Sequence, residues 1–171
     1  MIRIVIAEDQ EMLLTAIGSL LNLEDDLEVV GLAADGEEAI RLVYRLKPDV
    51  CLMDIEMPVK SGLEAAEILK PHGCKVIILT TFARKGYWQR ALKANVRGYL
   101  LKDSPSEELA GSIRSIIAGK QIFSQELIYE EFNGLEHEEP VQTEALNEKL
   151  KLGTVRKYLT ALREKMKLPT G

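Results

Sequence analysis

Near its start the chain reads Ile2-Arg3-Ile4-Val5-Ile6-Ala7-Glu8-Asp9. Apolar residues stand on successive positions in this stretch, so both faces of the strand that it predicts must be covered. Such a strand is typical of a parallel sheet that lies between two layers of helices. The pair Glu8-Asp9 follows too early for a signal peptide, whose apolar segment is longer. The stretch therefore predicts the first strand of an α/β domain, with carboxylates at its C-terminal end.

The alternation of strand and helix continues up to residue 120. Three predicted helix starts, at Asp35, Ser61 and Ser104, place a cap residue three positions before a Glu, and Pro105 adds a proline at the first helical position. A further helix is predicted around Glu11–Leu21, where apolar residues form one stripe. Five strands and five helices in alternation predict a doubly wound α/β unit. The predicted strands are Ile2–Ala7, Glu28–Ala33, Asp49–Met53, Lys75–Leu79 and Gly98–Leu101.

The composition is that of a soluble globular protein, because 46% of the 171 residues are hydrophobic and 29% are charged. The formal net charge of −5 argues against general coating of nucleic acid. Two cysteines, Cys51 and Cys74, are too few for a disulfide framework, which favours a reducing compartment. No apolar run reaches the ~18 residues of a membrane span. We therefore expect a cytoplasmic protein without membrane insertion.

Charge divides the chain into three parts. Residues 1–123 hold 18 acidic and 15 basic residues, residues 124–142 hold six Glu and no Lys or Arg, and residues 143–171 hold three acidic and seven basic residues. An acidic connector followed by a basic tail is typical of a modular chain, and only the tail suits an anionic partner. We predict a domain at 1–120, an acidic linker at 121–142 and a separate C-terminal region at 143–171.

Charged and polar side chains follow four of the predicted strands. They are Glu8-Asp9, Asp54, Thr80-Thr81 and Lys102-Asp103. Ligands of an open parallel sheet bind outside the C-terminal ends of its strands, so these groups are expected to meet at one edge. Carboxylates that lie close together repel one another, and a hard cation such as Mg²⁺ relieves the repulsion. Taken one at a time, each of the acids is more often a solvated loop residue, Thr80 could be an ordinary strand residue and Lys102 a surface lysine. It is the combination that suits phosphoryl chemistry.

Two other uses of such a sheet are excluded by the first loop. A dinucleotide site needs a glycine-rich turn after the first strand, and the chain has none there. A flavin phosphate needs hydrogen-bond donors in this loop, whereas Glu8-Asp9-Gln10-Glu11 would repel it. His72 and His137 have no second ligand at a metal-binding spacing, so neither receives a role.

Several motifs in this order resemble a two-component receiver domain, in particular the NarL/FixJ subfamily and its DesR-type regulators. The resemblance covers residues 1–120 and implies a flavodoxin-like (βα)5 fold. The motifs that carry it are Glu8-Asp9, Met53-Asp54-Ile55-Glu56-Met57-Pro58, Ser61-Gly62, Leu79-Thr80-Thr81-Phe82 and Gly98-Tyr99-Leu100-Leu101-Lys102-Asp103-Ser104.

The resemblance also implies a role for each site residue. Asp54 would be the nucleophile that accepts a phosphoryl group from a histidine of a cognate sensor kinase. Mg²⁺ would be held by Asp9, Asp54 and the backbone carbonyl of Glu56, with Glu8 direct or through water. Lys102 would pair with a phosphoryl oxygen. Thr80 would turn its hydroxyl to another such oxygen, and Tyr99 would then occupy the space that Thr80 leaves.

The C-terminal region resembles a shortened form of the DNA-binding module of this family. Gln121–Gly134 is interpreted as a connector that can carry a helical turn. Helices are predicted after it at Thr143–Leu150 and Thr154–Lys167, separated by Lys151-Leu152-Gly153. The second of these helices corresponds to the recognition helix of a helix-turn-helix. Most of the family's first scaffold helix and part of the turn have no counterpart. The predicted DNA contacts are Thr154, Arg156, Lys157 and Arg163.

These features predict a response regulator that is phosphorylated on Asp54 and controls transcription, as a homodimer promoted by phosphorylation and bound to promoter DNA. An alternative is a receiver that contacts other proteins or acts as a phosphate sink without binding DNA. A third class is a phosphatase with an aspartyl intermediate. Its nucleophile and second acid usually lie two apart on one strand. Here Glu56 has that spacing from Asp54, but the other acids of the site come from the first strand. We expect stoichiometric phosphoryl acceptance rather than an enzyme.

Overall fold

The computed structural model describes residues 1–133 and 144–167, and only the backbone of residues 144–151. Within this part of the chain, six parallel strands form one sheet in the order β2-β1-β3-β4-β5-β6. The first five agree with the predicted strands to within one residue at either end, which confirms the predicted α/β class. The strands are β1 (Ile2–Ala7), β2 (Leu27–Ala33), β3 (Val50–Met53), β4 (Lys75–Thr80), β5 (Gly98–Leu101) and β6 (Ile122–Phe123).

Helices cover both faces of the sheet. The helices are α1 (Glu11–Leu21), α2 (Gly36–Leu46), α3 (Gly62–Leu69), α4 (Tyr87–Lys93), α5 (Ser106–Ile117), α6 (Gln125–Asn133) and α7 (Glu144–Lys165). Alternate residues of β1 enter two separate cores: Ile4 and Ile6 pack with α1 and α5, whereas Val5 and Ala7 pack with α2 and α3. This division explains why β1 is apolar on successive residues.

Side-chain caps begin two of the helices as predicted. The Asp35 carboxylate accepts a hydrogen bond from the N–H of Glu38, and Ser61 forms a reciprocal capping box with Glu64. The prediction at Ser104 is wrong. Pro105 has an extended backbone, with φ −54° and ψ 142°, so it precedes α5 instead of opening it, and no side chain caps this helix.

The segment after residue 120 is more ordered than a connector. Residues Ile122–Phe123 pair in parallel with β5 and extend the sheet by one strand. Helix α6 follows directly, and its Leu127 is fully buried among residues of the second core. The apolar residues of this acidic segment are thus used to cover the receiver-like domain. The predicted boundary at residue 120 implies that residues 1–120 and 121–142 are separate units, and this stays a prediction.

The C-terminal region is helical as predicted, but α7 is one helix instead of two. Residues 151–153, where a turn is predicted, continue the helix. A single glycine inside a helix costs about 1 kcal/mol relative to alanine. This cost is outweighed because Val155 and Tyr158 are buried against the core formed by α1 and α5, with Leu162 packed beside them. The part of the tail prediction that concerns Thr143 and residues 168–171 lies outside the described residues.

No helix in the described part of the chain is both long and apolar enough to cross a membrane.

Candidate functional site

The predicted site residues meet at the C-terminal edge of the sheet. Ala7 lies beside Met53 in the strand register, which places Glu8 next to Asp54. Thr80 pairs with Leu101, which places Lys102 at the same edge. The strand order brings together carboxylates and an amine that are separated by up to 94 positions in the chain.

Most of this site is buried. Glu8, Asp54, Thr80 and Lys102 are between 2% and 7% exposed, whereas Asp9 faces solvent. The Lys102 ammonium group forms ion pairs with both buried carboxylates, one with Glu8 and one of 3.0 Å with Asp54. A buried charge is tolerated only when it is paired in this way.

Burial and pairing act in opposite directions on the ionisation of these groups. Burial raises the pKa of Glu8 to about 7, although Lys102 counteracts the effect. Burial also raises the pKa of Asp54, which Lys102 again partly offsets. For Lys102 itself, burial alone would lower the pKa, but the carboxylates of Asp54 and Glu8 outweigh it and the pKa is raised. The site therefore holds Lys102 protonated and opposes full ionisation of two adjacent carboxylates.

Three carboxylates are placed to share a cation. One ligand oxygen each from Glu8, Asp9 and Asp54 lies within 4.8 Å of the other two. Oxygen ligands of this kind suit a hard divalent ion, and Mg²⁺ is commonly held by one or two carboxylates and completes its shell with water. The donor set thus fits the predicted Mg²⁺ site. A cation would also reduce the repulsion that contributes to the raised pKa of Glu8.

The loop after β3 is shaped to present Asp54. The backbone N–H of Asp54 donates to Ala7 at 3.0 Å, and the N–H of Ile55 donates to the Asp54 carboxylate at 2.8 Å. Gly62 packs directly against this loop: a Cβ atom at that position would lie 1.9 Å from the Asp54 carbonyl oxygen. Glycine is required here by close approach of the backbone, which accounts for Ser61-Gly62 among the motifs.

Thr80 and Tyr99, the two residues predicted to rearrange, are both buried. The Thr80 hydroxyl donates to the Phe82 carbonyl at 3.4 Å instead of pointing to Asp54. Tyr99 is fully buried, with its ring 5.4 Å from that of Trp88, and its hydroxyl has no hydrogen-bond partner among the described side chains. Because Tyr99 already lies inside the core, any change in its side-chain position must take place within the core.

Sequence reasoning missed a set of contacts around the loop that leads to α4. The Glu56 side chain accepts a hydrogen bond from Tyr87 at 3.0 Å and pairs with Arg84 at 2.8 Å. Its carboxylate is thus engaged, so the backbone carbonyl is the group of Glu56 that we consider for metal binding. Burial and the neighbouring Glu56 raise the pKa of Tyr87 to about 12. No local sequence signal indicates these contacts, because they join two loops.

The four residues predicted to contact DNA fall into two groups. Arg156, Lys157 and Arg163 are exposed on α7, as a groove-facing side would require. Thr154 is 1% exposed and donates its hydroxyl to Asp103 at 3.1 Å. In this arrangement Thr154 faces the domain at the edge that also carries Lys102, which differs from the prediction. The apolar stripe of α7 decides which way the helix faces.

Comparison with known proteins shows similarity to response regulators. The family model of the response regulator receiver domain matches residues 4–114. The transcriptional regulatory protein DesR of Bacillus subtilis is 56% identical over 182 aligned residues, which cover 98% of this chain and 92% of DesR. The aligned length exceeds the 171 residues of the chain, so DesR contains residues that have no counterpart here. An uncharacterized transcriptional regulatory protein of the same organism, YvfU, is 49% identical over 97% of this chain and 91% of its own length.

Solved structures of response regulators are also similar to this chain. A DNA-binding response regulator of the LuxR family from Staphylococcus aureus is 37% identical, with a TM-score of 0.65, and the match covers 68% of this chain and 99% of that one. A two-component response regulator of the LuxR family from Aurantimonas is 27% identical, with a TM-score of 0.70 over 79% of this chain and 98% of the other.

Proposed function

The chain belongs to the response regulators, and from this premise we propose that it accepts a phosphoryl group on Asp54 and thereby controls transcription. The observation that carries the proposal is the position of Asp54, buried at the C-terminal end of β3 and 3.0 Å from the Lys102 amine. A carboxylate in this position can act as a nucleophile while a fixed positive charge faces the oxygens of the incoming group.

The transfer step can be written with all atoms accounted for. A carboxylate oxygen of Asp54 attacks the phosphorus of a phosphohistidine on a cognate sensor kinase. The phosphorus–nitrogen bond breaks as the phosphorus–oxygen bond forms, and the imidazole leaves with the electron pair and takes up a proton. One phosphoryl group is accepted per chain, so we propose a stoichiometric acceptor and not an enzyme.

Residues around Asp54 prepare the reaction. Glu8, Asp9, Asp54 and the Glu56 carbonyl would hold Mg²⁺, which would offset the charge of the carboxylates and of the phosphoryl oxygens. Lys102 is already poised beside Asp54 and would pair with a phosphoryl oxygen as a point charge. Thr80 would exchange its bond to Phe82 for a bond to a phosphoryl oxygen, and Tyr99 would repack beside it.

We propose promoter DNA as the output of the switch. DesR and YvfU are transcriptional regulatory proteins whose similarity extends over nearly the whole chain. This extent favours a transcriptional output over a receiver that only contacts proteins. The exposed cations Arg156, Lys157 and Arg163 would face DNA phosphates. A homodimer promoted by phosphorylation would present two copies of this weak interface to two half-sites, in the cytoplasm where kinase and promoter are found.

Phosphorylation of the full chain tests the first part of the proposal. Incubation with acetyl phosphate and Mg²⁺ should add one phosphoryl group, detected by intact mass, and Asp54→Asn should abolish the addition. Glu37→Gln is the matched control, because it removes an exposed carboxylate on α2, outside the site. Phosphorylation of the Asp54→Asn variant would disprove Asp54 as the acceptor. Repeated turnover of a phosphorylated substrate by the protein would disprove stoichiometric acceptance.

Salt dependence tests the second part. Binding of promoter DNA should increase on phosphorylation and fall steeply with salt. Replacing Arg156 and Lys157 together by Ala should reduce the slope of log affinity against log salt by about two, since each phosphate contact contributes about 0.9. The control replaces Arg41 and Arg45, exposed on α2, and should leave the slope unchanged. Absence of binding to every promoter fragment at low salt would remove DNA from the proposal.

A further inference from the structure

A single carboxylate fastens α6 to the start of α4. Glu131 accepts hydrogen bonds from the N–H groups of Gly86, at 2.7 Å, and Trp88, at 2.8 Å. Gly86 is the N-cap residue of α4 and has no side chain with which to satisfy these donors. The cap of α4 is therefore supplied by a residue 45 positions after Gly86. Glu131 is 8% exposed, so its charge is held in place by these two donors.

An apolar anchor lies one turn before this carboxylate. Leu127 is fully buried in the same core cluster as Tyr99 and Ala91. Leu127 and Glu131 are four residues apart and share one face of α6. Tyr129 on the same helix is 71% exposed. Within the described part of the chain, the buried side chains of α6 are thus one leucine and one carboxylate on a single face.

Residues next to those that Glu131 caps are tied to the neighbourhood of Asp54. Arg84 and Tyr87 contact the carboxylate of Glu56, as described above. On the inner side, the Trp88 ring lies against Tyr99 and is 4.8 Å from the ring of Phe123 in β6. One short segment, residues 84–88, is therefore held by the loop after β3 on one side and by α6 on the other.

We propose that the docking of α6 is coupled to occupation of the site at Asp54. Docking through Glu131 opposes displacement of the segment from Thr80 to Gly86, and this displacement is what occupation of the site would require. The inference rests on the function proposed above. Thr80 can reach a phosphoryl oxygen only if its hydroxyl leaves the Phe82 carbonyl. Movement of the segment disturbs Gly86, and hydrogen bonds of this kind weaken steeply when distance or angle changes.

Coupling between two sites is reciprocal. If displacement of the segment releases α6, loss of the α6 contact must make the displacement easier. The variant Glu131→Gln keeps the size of the side chain but removes its charge and one acceptor. Glu130→Gln is the matched control, since Glu130 is the exposed neighbour on the same helix and the substitution changes the net charge equally.

The experiment uses the full chain, with beryllofluoride and Mg²⁺ as the probe of the Asp54 site. Hydrogen–deuterium exchange reports α6 and the segment around Gly86, and fluorescence of Trp88, the single tryptophan, reports the contact itself. In the unsubstituted protein the probe should accelerate exchange over residues 125–133. In Glu131→Gln this exchange should be fast without the probe, and half-saturation should occur at a beryllofluoride concentration about ten-fold lower. Glu130→Gln should behave as the unsubstituted protein.

Two results would overturn the inference, and they differ from failure of the proposed function. Unchanged half-saturation in Glu131→Gln, with circular dichroism showing a folded protein, would make Glu131 a structural anchor only. A probe response at residues 53–57 and 80–82 without one at 125–133 would separate α6 from the site. No response in any segment would instead contradict the role of Asp54, and with it the inference.

Discussion

Lys102 connects the two carboxylates on which the site depends. Its amine is paired with Glu8 and Asp54 in a part of the protein that solvent scarcely reaches. Breaking a buried pair by removing one partner costs about 3–5 kcal/mol, because a charge is left without compensation. A surface pair is worth only about 0–1 kcal/mol. Single substitutions among these three residues should therefore have larger effects than any change in the surface ion pairs.

Removal of the Lys102 amine should separate metal binding from signalling. In Lys102→Ala, Mg²⁺ binding measured by calorimetry should be kept, because Glu8, Asp9 and Asp54 remain and no cation competes with Mg²⁺. The phosphorylation-dependent change in DNA binding should be lost, since a phosphoryl oxygen no longer has its partner. Lys120→Ala, exposed after α5, is the control. Unaltered output in Lys102→Ala would refute the role given to this amine.

The raised pKa of Glu8 predicts how stability changes with pH. Folded Glu8 keeps its proton up to about pH 7, whereas the unfolded chain releases it near 4.5. Between these values the unfolded state binds fewer protons, so stability must fall as pH rises. Without divalent ions, the free energy of unfolding in urea should drop on the order of 2 kcal/mol from pH 5 to pH 8.

Substitution of Glu8 provides the check. Glu8→Gln should flatten most of this slope, with a remainder from Asp54, whose pKa is also raised. Glu11→Gln, an exposed residue at the start of α1, should keep the full slope. A rise in stability over the same interval would contradict the assigned direction.

Two glycines show how the same residue serves different elements. A Cβ atom at Gly62 would collide with the Asp54 carbonyl oxygen at 1.9 Å, whereas one at Gly153 would meet no atom of the described residues within 4 Å. The first glycine allows α3 to begin against the loop that presents Asp54. The second lies within α7 and packs against none of the described residues.

The substitutions Gly62→Ala and Gly153→Ala should therefore have opposite signs. Gly62→Ala should destabilise the protein by several kcal/mol, on the order of the larger core effects, and reduce phosphorylation. Gly153→Ala should stabilise α7 by up to about 1 kcal/mol, because alanine is the better helix former. Thermal unfolding and exchange of the α7 amides measure the two effects. Destabilisation by Gly153→Ala would favour a turn at residues 151–153 over the continuous helix.

At the scale of the molecule, both segments after residue 120 fold back onto the domain. Helix α6 rests on α4, and α7 rests on α1, where Lys165 pairs with Glu24 at 2.6 Å. Hydrogen bonds from Arg114 and Lys165 lower the pKa of Glu24. The pair is half-buried and still reached by solvent, and ion pairs that solvent screens contribute little. The buried side chains of Val155 and Tyr158 must supply most of the energy that holds α7 in place.

Tyr158 is the residue whose loss should release α7. Tyr158→Ala should cost about 3 kcal/mol of docking energy, as expected for a large side chain removed from a core. Limited proteolysis should then cleave within residues 152–167 much faster. Leu159→Ala, the adjacent residue at 37% exposure, is the control and should have little effect. Equal cleavage of both variants would show that Tyr158 does not anchor the helix.

Sequence alone determined the five-stranded α/β unit and the position of its site. Strand periodicity is local, and the rule that ligands meet the C-terminal ends of parallel strands then unites Glu8, Asp54 and Lys102 without coordinates. Only the tertiary structure decided that residues 122–133 form a strand and a helix, that α7 is continuous, and that Glu131 caps α4. These features depend on contacts between residues tens of positions apart, where short segments with weak local preference take the conformation that buries their few apolar side chains.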